Sequence, residues 1–338
     1  MTQTVAPQEM HREARPRSAS STALRLRAED GYPLGAQLFE PAGAPRGAVV
    51  VHGATAVPQR WYEGYAAWLA AQGFRVLTYD YRGVGRSRPA SLRRLRATMT
   101  DWARKDALAA LRWLKARSPA LPVFSVGHSF GGQLLGLEDE LGEVDGAILV
   151  GSQLGFWKRW PAEDWPRLLL FFYGIIPGAT ALAGYLPGQL GLRTDLPAGV
   201  AREWGRWCRH PEYLLGFHPE AAGRLARFDR PTLFFSFTDD EFGPARAVDA
   251  LLRRLPRAPL RHRRVDPAEV GQAVGHFGFF RPDFEGTLWA ESLAFLEDRV
   301  EQRPHGFTPG EGRRRPAFEL RLEDVLADLP SAPALPMR

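Results

Sequence analysis

The chain has almost no cysteine: Cys208 is the only one in 338 residues. A single thiol excludes an internal disulfide and leaves no cysteine cluster for zinc or iron–sulfur, which suits a reducing compartment. Lysine is nearly as scarce. It occurs only at Lys105, Lys115 and Lys158, so the net charge of +6 comes from arginine. The arginines are spread along the chain rather than gathered beside aromatics or on a helix-turn-helix or zinc-finger pattern, and no nucleic-acid partner is expected. Residues 1–20 lack the apolar core of a secretory signal, and with the cysteine usage this points to a cytoplasmic protein. No metal or organic cofactor is called for. Hydrophobic residues make up 45% and charged ones 24%, as in an ordinary soluble protein, and the length accommodates one α/β domain with an insertion.

What is present centres on residues 122–132, an apolar run that ends in Gly127-His128-Ser129-Phe130-Gly131 and opens a helix at once. A strand that turns so sharply into a helix strains its central residue, and small neighbours two positions either side let the two elements approach. Such a turn lifts the Ser129 hydroxyl clear of the backbone. It also leaves the Phe130 N–H at a helix N-terminus, where developing negative charge is favoured.

Taken in order, residues 1–20 read as a disordered arm. Residues 24–27 and 34–39 then form a hairpin about Asp30-Gly31. Residues 48–51 are a buried strand stopping at His52-Gly53-Ala54-Thr55, 61–72 a helix, and 74–81 the next strand. This strand–helix–strand rhythm implies a mostly parallel, doubly wound α/β sheet. The glycine-rich loop Asp80-Tyr81-Arg82-Gly83-Val84-Gly85-Arg86-Ser87 lacks the continuation of a phosphate cradle and reads as a structural turn. A helix spans 101–117 with Asp101 as N-cap, and a strand spans 147–150. From 153 to 229 the rhythm fails in a segment rich in Trp and Pro. It resumes with a strand at 231–237, a helix at 245–255, a strand at 260–265 and a closing helix at 288–300. The division expected is a core of 21–152 with 230–302, an inserted lid at 153–229, and a tail at 303–338 with a short helix near 320–329.

With these elements placed, the chain resembles the α/β-hydrolase superfamily over about residues 22–300, in its serine-hydrolase branch of esterase, acylglycerol-lipase and serine-aminopeptidase-like members. The resemblance rests on His52-Gly53 after one strand, the 80–87 loop after the next, and Gly-His-Ser-Phe-Gly at the turn. An acid and then a histidine follow later strands. In that family the catalytic order is Ser, Asp or Glu, His. It implies Ser129 as nucleophile, His276 as base and Asp240 as the orienting acid, since the family's acid lies four residues before a proline such as Pro244. Asp239 stays open as the alternative acid and Glu241 as a more distant one. The remaining histidines read as structural. The backbone N–H of Phe130 and that of Ala54 are the implied oxyanion donors, with Thr55 an alternative to Ala54.

The lid segment carries no charge from Leu168 to Leu192, although Pro177, Pro187 and several glycines interrupt it. A buried helix pair is expected rather than a transmembrane span, with a lid resting on lipid as the weaker alternative. Trp61, Trp157 and Phe277 are expected to line a pocket for a hydrophobic acyl or alkyl part. The expected reaction is ester hydrolysis. Amide, thioester and carbon–carbon cleavage or acyl transfer use the same machinery, and a non-catalytic binding protein on this fold is the reading from another class. Oligomeric state is not legible.

Overall fold

The computed structural model describes residues 19–302. The tail at 303–338 with its expected helix near 320–329, nearly all of the arm, and His11 and His305 lie outside the described residues. Strand β1 (Ser20–Arg27) pairs antiparallel with β2 (Pro33–Glu40) across the Asp30-Gly31 turn, where Gly31 takes φ +79°. Ser20 is thus already sheet, one residue before the arm was expected to end. A parallel unit follows, made of β3 (Gly47–His52), α1 (Glu63–Ala71) and β4 (Phe74–Tyr79). The helix expected from residue 61 starts at Glu63 because a tighter turn, Gln59–Trp61, precedes it. The 80–87 loop turns inward: Asp80 accepts the backbone N–H of Gln59 at 2.7 Å and of Arg86 at 2.8 Å.

The next helix begins as α2 (Met99–Asp101) and continues through a π turn into α3 (Leu108–Arg117). Its N-cap is Thr98 rather than Asp101. Thr98 Oγ1 accepts the Asp101 N–H and the Asp101 carboxylate accepts the Thr98 N–H, each at 3.0 Å. Both are good capping residues, and the reciprocal pair uses them together.

After β5 (Val123–His128) come α4 (Phe130–Leu137) and β6 (Gly146–Val150). The chain then leaves the sheet for α5 (Trp165–Leu169), α6 (Ile176–Leu182), the ribbon β7 (Tyr185–Leu186) and β8 (Leu196–Pro197), α7 (Ala198–Cys208) and α8 (Pro219–Arg227). It returns for β9 (Thr232–Phe237), α9 (Ala245–Leu252), β10 (Leu260–Val265), α10 (Pro267–Val270) and α11 (Ala290–Glu301).

The main sheet has the order β1-β2-β4-β3-β5-β6-β9-β10, parallel from β4 onward. The central strands β3, β5, β6 and β9 are buried along their whole length, which their unbroken apolar runs dictate. Two cores result, one on each sheet face. This is the doubly wound architecture that the resemblance implies.

Helix α8 packs on α4, where a methyl placed on Gly136 would meet Leu225 at 3.1 Å, so it covers the sheet as a crossover helix does. Among the described residues one helical run, Ala162–Leu182, is long and apolar enough to cross a bilayer, and little of it is buried. Its inner side is held by protein: Ile176 is buried, and Arg202 donates to the Thr180 carbonyl and hydroxyl at 3.0 Å. Leu169, Leu170, Tyr173 and Leu182 face solvent on its outer side.

Candidate active site

In a parallel sheet the strands deliver their C-terminal ends to one edge, and chemistry collects there. His52 ends β3, Ser129 follows β5, Gly151 follows β6 and Asp240 follows β9. Ser129 sits at φ 52°, ψ −111°, a left-handed strain for a residue with a side chain, and its N–H donates to the Val150 carbonyl at 2.8 Å. The flanking glycines are steric necessities. A methyl on Gly127 would lie 2.6 Å from the Gly132 nitrogen, and one on Gly131 only 2.1 Å from the His52 carbonyl oxygen.

His276 Nδ1 donates to the Asp240 carboxylate, at 2.8 Å to Oδ2 and 3.0 Å to Oδ1. Asp240 is itself held by the N–H groups of Phe242 and Gly243, both 2.8 Å from Oδ1. Asp239 points elsewhere. Its Oδ2 accepts the Val274 and Gly275 N–H groups at 2.9 and 3.0 Å, which pins the loop carrying His276. Ser129, Asp240 and His276 are each only 6–7% exposed.

His128 and Tyr62 form a second, fixed string behind the histidine. The His276 carbonyl can only accept, so His128 Nε2–H donates to it at 2.8 Å; Nδ1 then accepts the Tyr62 hydroxyl proton at 2.9 Å. Burial, with His276 and Arg193 nearby, pushes the His128 pKa well below that of a free imidazole, consistent with this neutral form. His52, buried and 2.7 Å from the Tyr79 hydroxyl, is lowered to about 3.

Of the expected oxyanion donors, the Ala54 N–H donates to the Tyr62 hydroxyl at 2.8 Å, whose lone pairs are available while its proton goes to His128. No protein acceptor meets the N–H of Phe130 or of Thr55 among the described residues. Of the expected pocket residues, Phe277 stands 5.0 Å from the His276 ring and 6.4 Å from Trp61. Trp157 packs against Phe156 and Trp165.

Three residues near the site were not singled out from the sequence. Gly151, at φ +58°, leaves room where a methyl would be 3.3 Å from both Asp240 and His276, and a glycine straight after an apolar strand was its signal. Tyr62 had no signal beyond its helix start. Arg193 ends the long charge-free run, which is the mark that sets it apart, and its guanidinium lies 4.0 Å from the Trp61 ring and 4.1 Å from the Phe277 ring. A strained serine, an imidazole held at one nitrogen by a carboxylate, and the free Phe130 N–H next to the serine are the parts that acyl transfer uses. Among the described residues no cluster suited to a metal ion occurs.

The family model described as serine aminopeptidase, S33, matches residues 43–189. An esterase from Exiguobacterium antarcticum is similar in structure at 17% identity, over 82% of this chain and 100% of that one, with a TM-score of 0.56. A carboxyl esterase from Bacillus coagulans gives 15%, 83% and 99%, and 0.55. Brefeldin A esterase, a bacterial homologue of human hormone sensitive lipase, gives 19%, 88% and 81%, and 0.55. No curated protein matches the sequence.

Proposed function

The chain belongs to the α/β-hydrolase superfamily, and on that premise we propose that it is a serine hydrolase acting on a carboxylic ester. The observation that carries this reading is the strained Ser129 at the same sheet edge as a His276–Asp240 pair joined at 2.8 Å. Asp240 holds the imidazole with Nδ1 protonated, so Nε2 is free to take the Ser129 proton as the hydroxyl attacks the acyl carbon. The ester oxygen then leaves with that proton. Water, deprotonated by the same nitrogen, cleaves the acyl-enzyme.

The Phe130 N–H is the first donor to the oxyanion. With Ala54 engaged by Tyr62, Thr55 is the second donor in this state of the loop, each donor worth about 10²–10³ in rate. The inserted segment acts as a lid. Trp160 donates to the Glu241 carbonyl at 2.8 Å and Gln153 to that of Phe242 at 3.0 Å, so it is tied to the loop that bears Asp240. Its apolar outer helix face supports contact with lipid and a substrate with a hydrophobic acyl or alkyl part. The amide bond is a second reading, favoured by the aminopeptidase description of the matching family.

A fluorophosphonate probe tests the proposal. Label on the Ser129 peptide, lost in Ser129→Ala and sharply reduced in His276→Ala, is expected. Turnover of p-nitrophenyl esters retained by Ser129→Ala would rule out the mechanism. A parallel assay with aminoacyl p-nitroanilides decides between ester and amide.

A further inference from the structure

We propose, resting on the hydrolase reading, that the cleft beside the site binds an anionic group of the substrate through Arg193 and Arg60. The cleft holds about 360 Å³ and is lined by Pro58, Arg60, Trp61, Leu192 and Arg193. Trp61 and Phe277 meet at 82° and are braced by a 3.2 Å hydrogen bond from Trp61 Nε1 to the Phe277 carbonyl. The Arg193 guanidinium occupies the corner between them, about 4 Å from each ring centroid.

Ring faces fix a guanidinium without consuming its N–H groups. No protein acceptor takes one: among the described residues neither Arg60 nor Arg193 has a hydrogen-bond acceptor or a carboxylate within ion-pair distance. Other arginines among the described residues, Arg25 and Arg257 for instance, also lack a protein partner for the guanidinium, but Arg193 is set apart by the two rings that hold its guanidinium beside His276. Two like charges facing one cleft without a counter-charge repel, and an anion relieves that repulsion. The planar fork of donors matches a carboxylate or a phosphate in two-point geometry. Phe277 is also the ring that touches His276, so the anion would lie one aromatic ring beyond the imidazole. The substrate class inferred is an ester whose apolar arm ends in a carboxylate or phosphate.

The test compares two p-nitrophenyl esters of equal chain length, the neutral hexanoate and the mono-ester of adipic acid, in wild type, Arg193→Gln and Arg60→Gln. The ratio of kcat/KM for adipate over hexanoate is expected to fall about tenfold or more in Arg193→Gln, mainly through KM, and by a smaller factor in Arg60→Gln. Added salt should lower the same ratio in wild type. Competitive inhibition by butyl phosphate that exceeds inhibition by hexanoate would identify phosphate as the anion, and the reverse a carboxylate. A ratio unmoved in both variants, with hexanoate still cleaved, overturns the anion site and leaves the hydrolase standing. A mere latch for the lid loop would alter both esters alike and gives that same unmoved ratio. Cleavage of neither ester by wild type, with Ser129 unlabelled by fluorophosphonate, overturns the hydrolase and the anion site together.

Discussion

Asp239 and Asp240 are adjacent, chemically identical and each engaged by two or more donors, yet they face different partners. Asp240 meets the imidazole, whereas Asp239 meets two backbone N–H groups. Asp240→Asn is expected to lower kcat about 10⁴-fold, because the amide no longer holds the working tautomer. Asp239→Asn should cost less than about tenfold in kcat and show itself as a lower melting temperature, since it weakens a loop anchor worth roughly 1–3 kcal/mol. Ester kinetics and thermal melts on both variants check the split; equal kcat losses would contradict it.

The buried histidines add a pH dependence. His52, at about 3, and His128, also lowered, stay neutral in the fold while the unfolded chain takes up protons below about 6.5. The unfolded state therefore binds more protons, and stability falls as pH drops, by about 1.4 kcal/mol per unit and per histidine. His218 and His262, lowered by burial, act in the same direction. Asp106, raised by burial to about 6, opposes them below that pH. Urea unfolding should show a net loss between about pH 6.5 and 5.5 that is shallower in His52→Gln. At this scale the sequence marks the turn at Ser129 by its flanking glycines and the loop of His276 by its place after the last strand, and the structure shows the strained turn and the His276–Asp240 contact at those places. Gly151 and Arg193 carry only faint marks, a glycine just after an apolar strand and the charge that ends a long neutral run, and Tyr62 acquires its part wholly from neighbours that the fold brings in.

Elements were legible where one force dominates. The fully apolar strands came through within a residue or two at most ends, since nothing else satisfies such runs. Helix starts were less so, because a capping box spreads the signal over Thr98 and Asp101, and a tight turn before α1 mimics its first residues. The β5–α4 turn is the tightest junction, and glycine substitutions should grade its tolerance. Gly131→Ala forces a methyl against the His52 carbonyl and should destabilise by about 1–3 kcal/mol or prevent folding. Gly178→Ala, in α6 with nothing within 4 Å of the added methyl, should instead stabilise by about 0.5–1 kcal/mol. Urea midpoints of the two variants give the comparison, and a stable, active Gly131→Ala would deny the junction its tightness.

For the whole molecule, the apolar pattern could not separate a buried inserted helix from an exposed one, because packing partners decide which side of an apolar helix is covered. The structure covers one side of Ala162–Leu182 and leaves the other open. If that face meets lipid, the protein should float with phospholipid vesicles, and the double variant Leu170→Asp, Leu182→Asp should stay in the dense fraction while its soluble-ester turnover is retained. Equal flotation of the two proteins would remove that helix face as the contact.

The passage from β6 to β9 has two unlike parts. Helix α8 does what any parallel neighbour pair requires, carrying the chain back across the sheet face, while the stretch from 153 to 216 departs and returns without adding a strand to that sheet. Arg193 belongs to that excursion, whereas Trp61 and Phe277 belong to the frame, so a different excursion grafted between the same two points would keep the two rings and lose the cation between them.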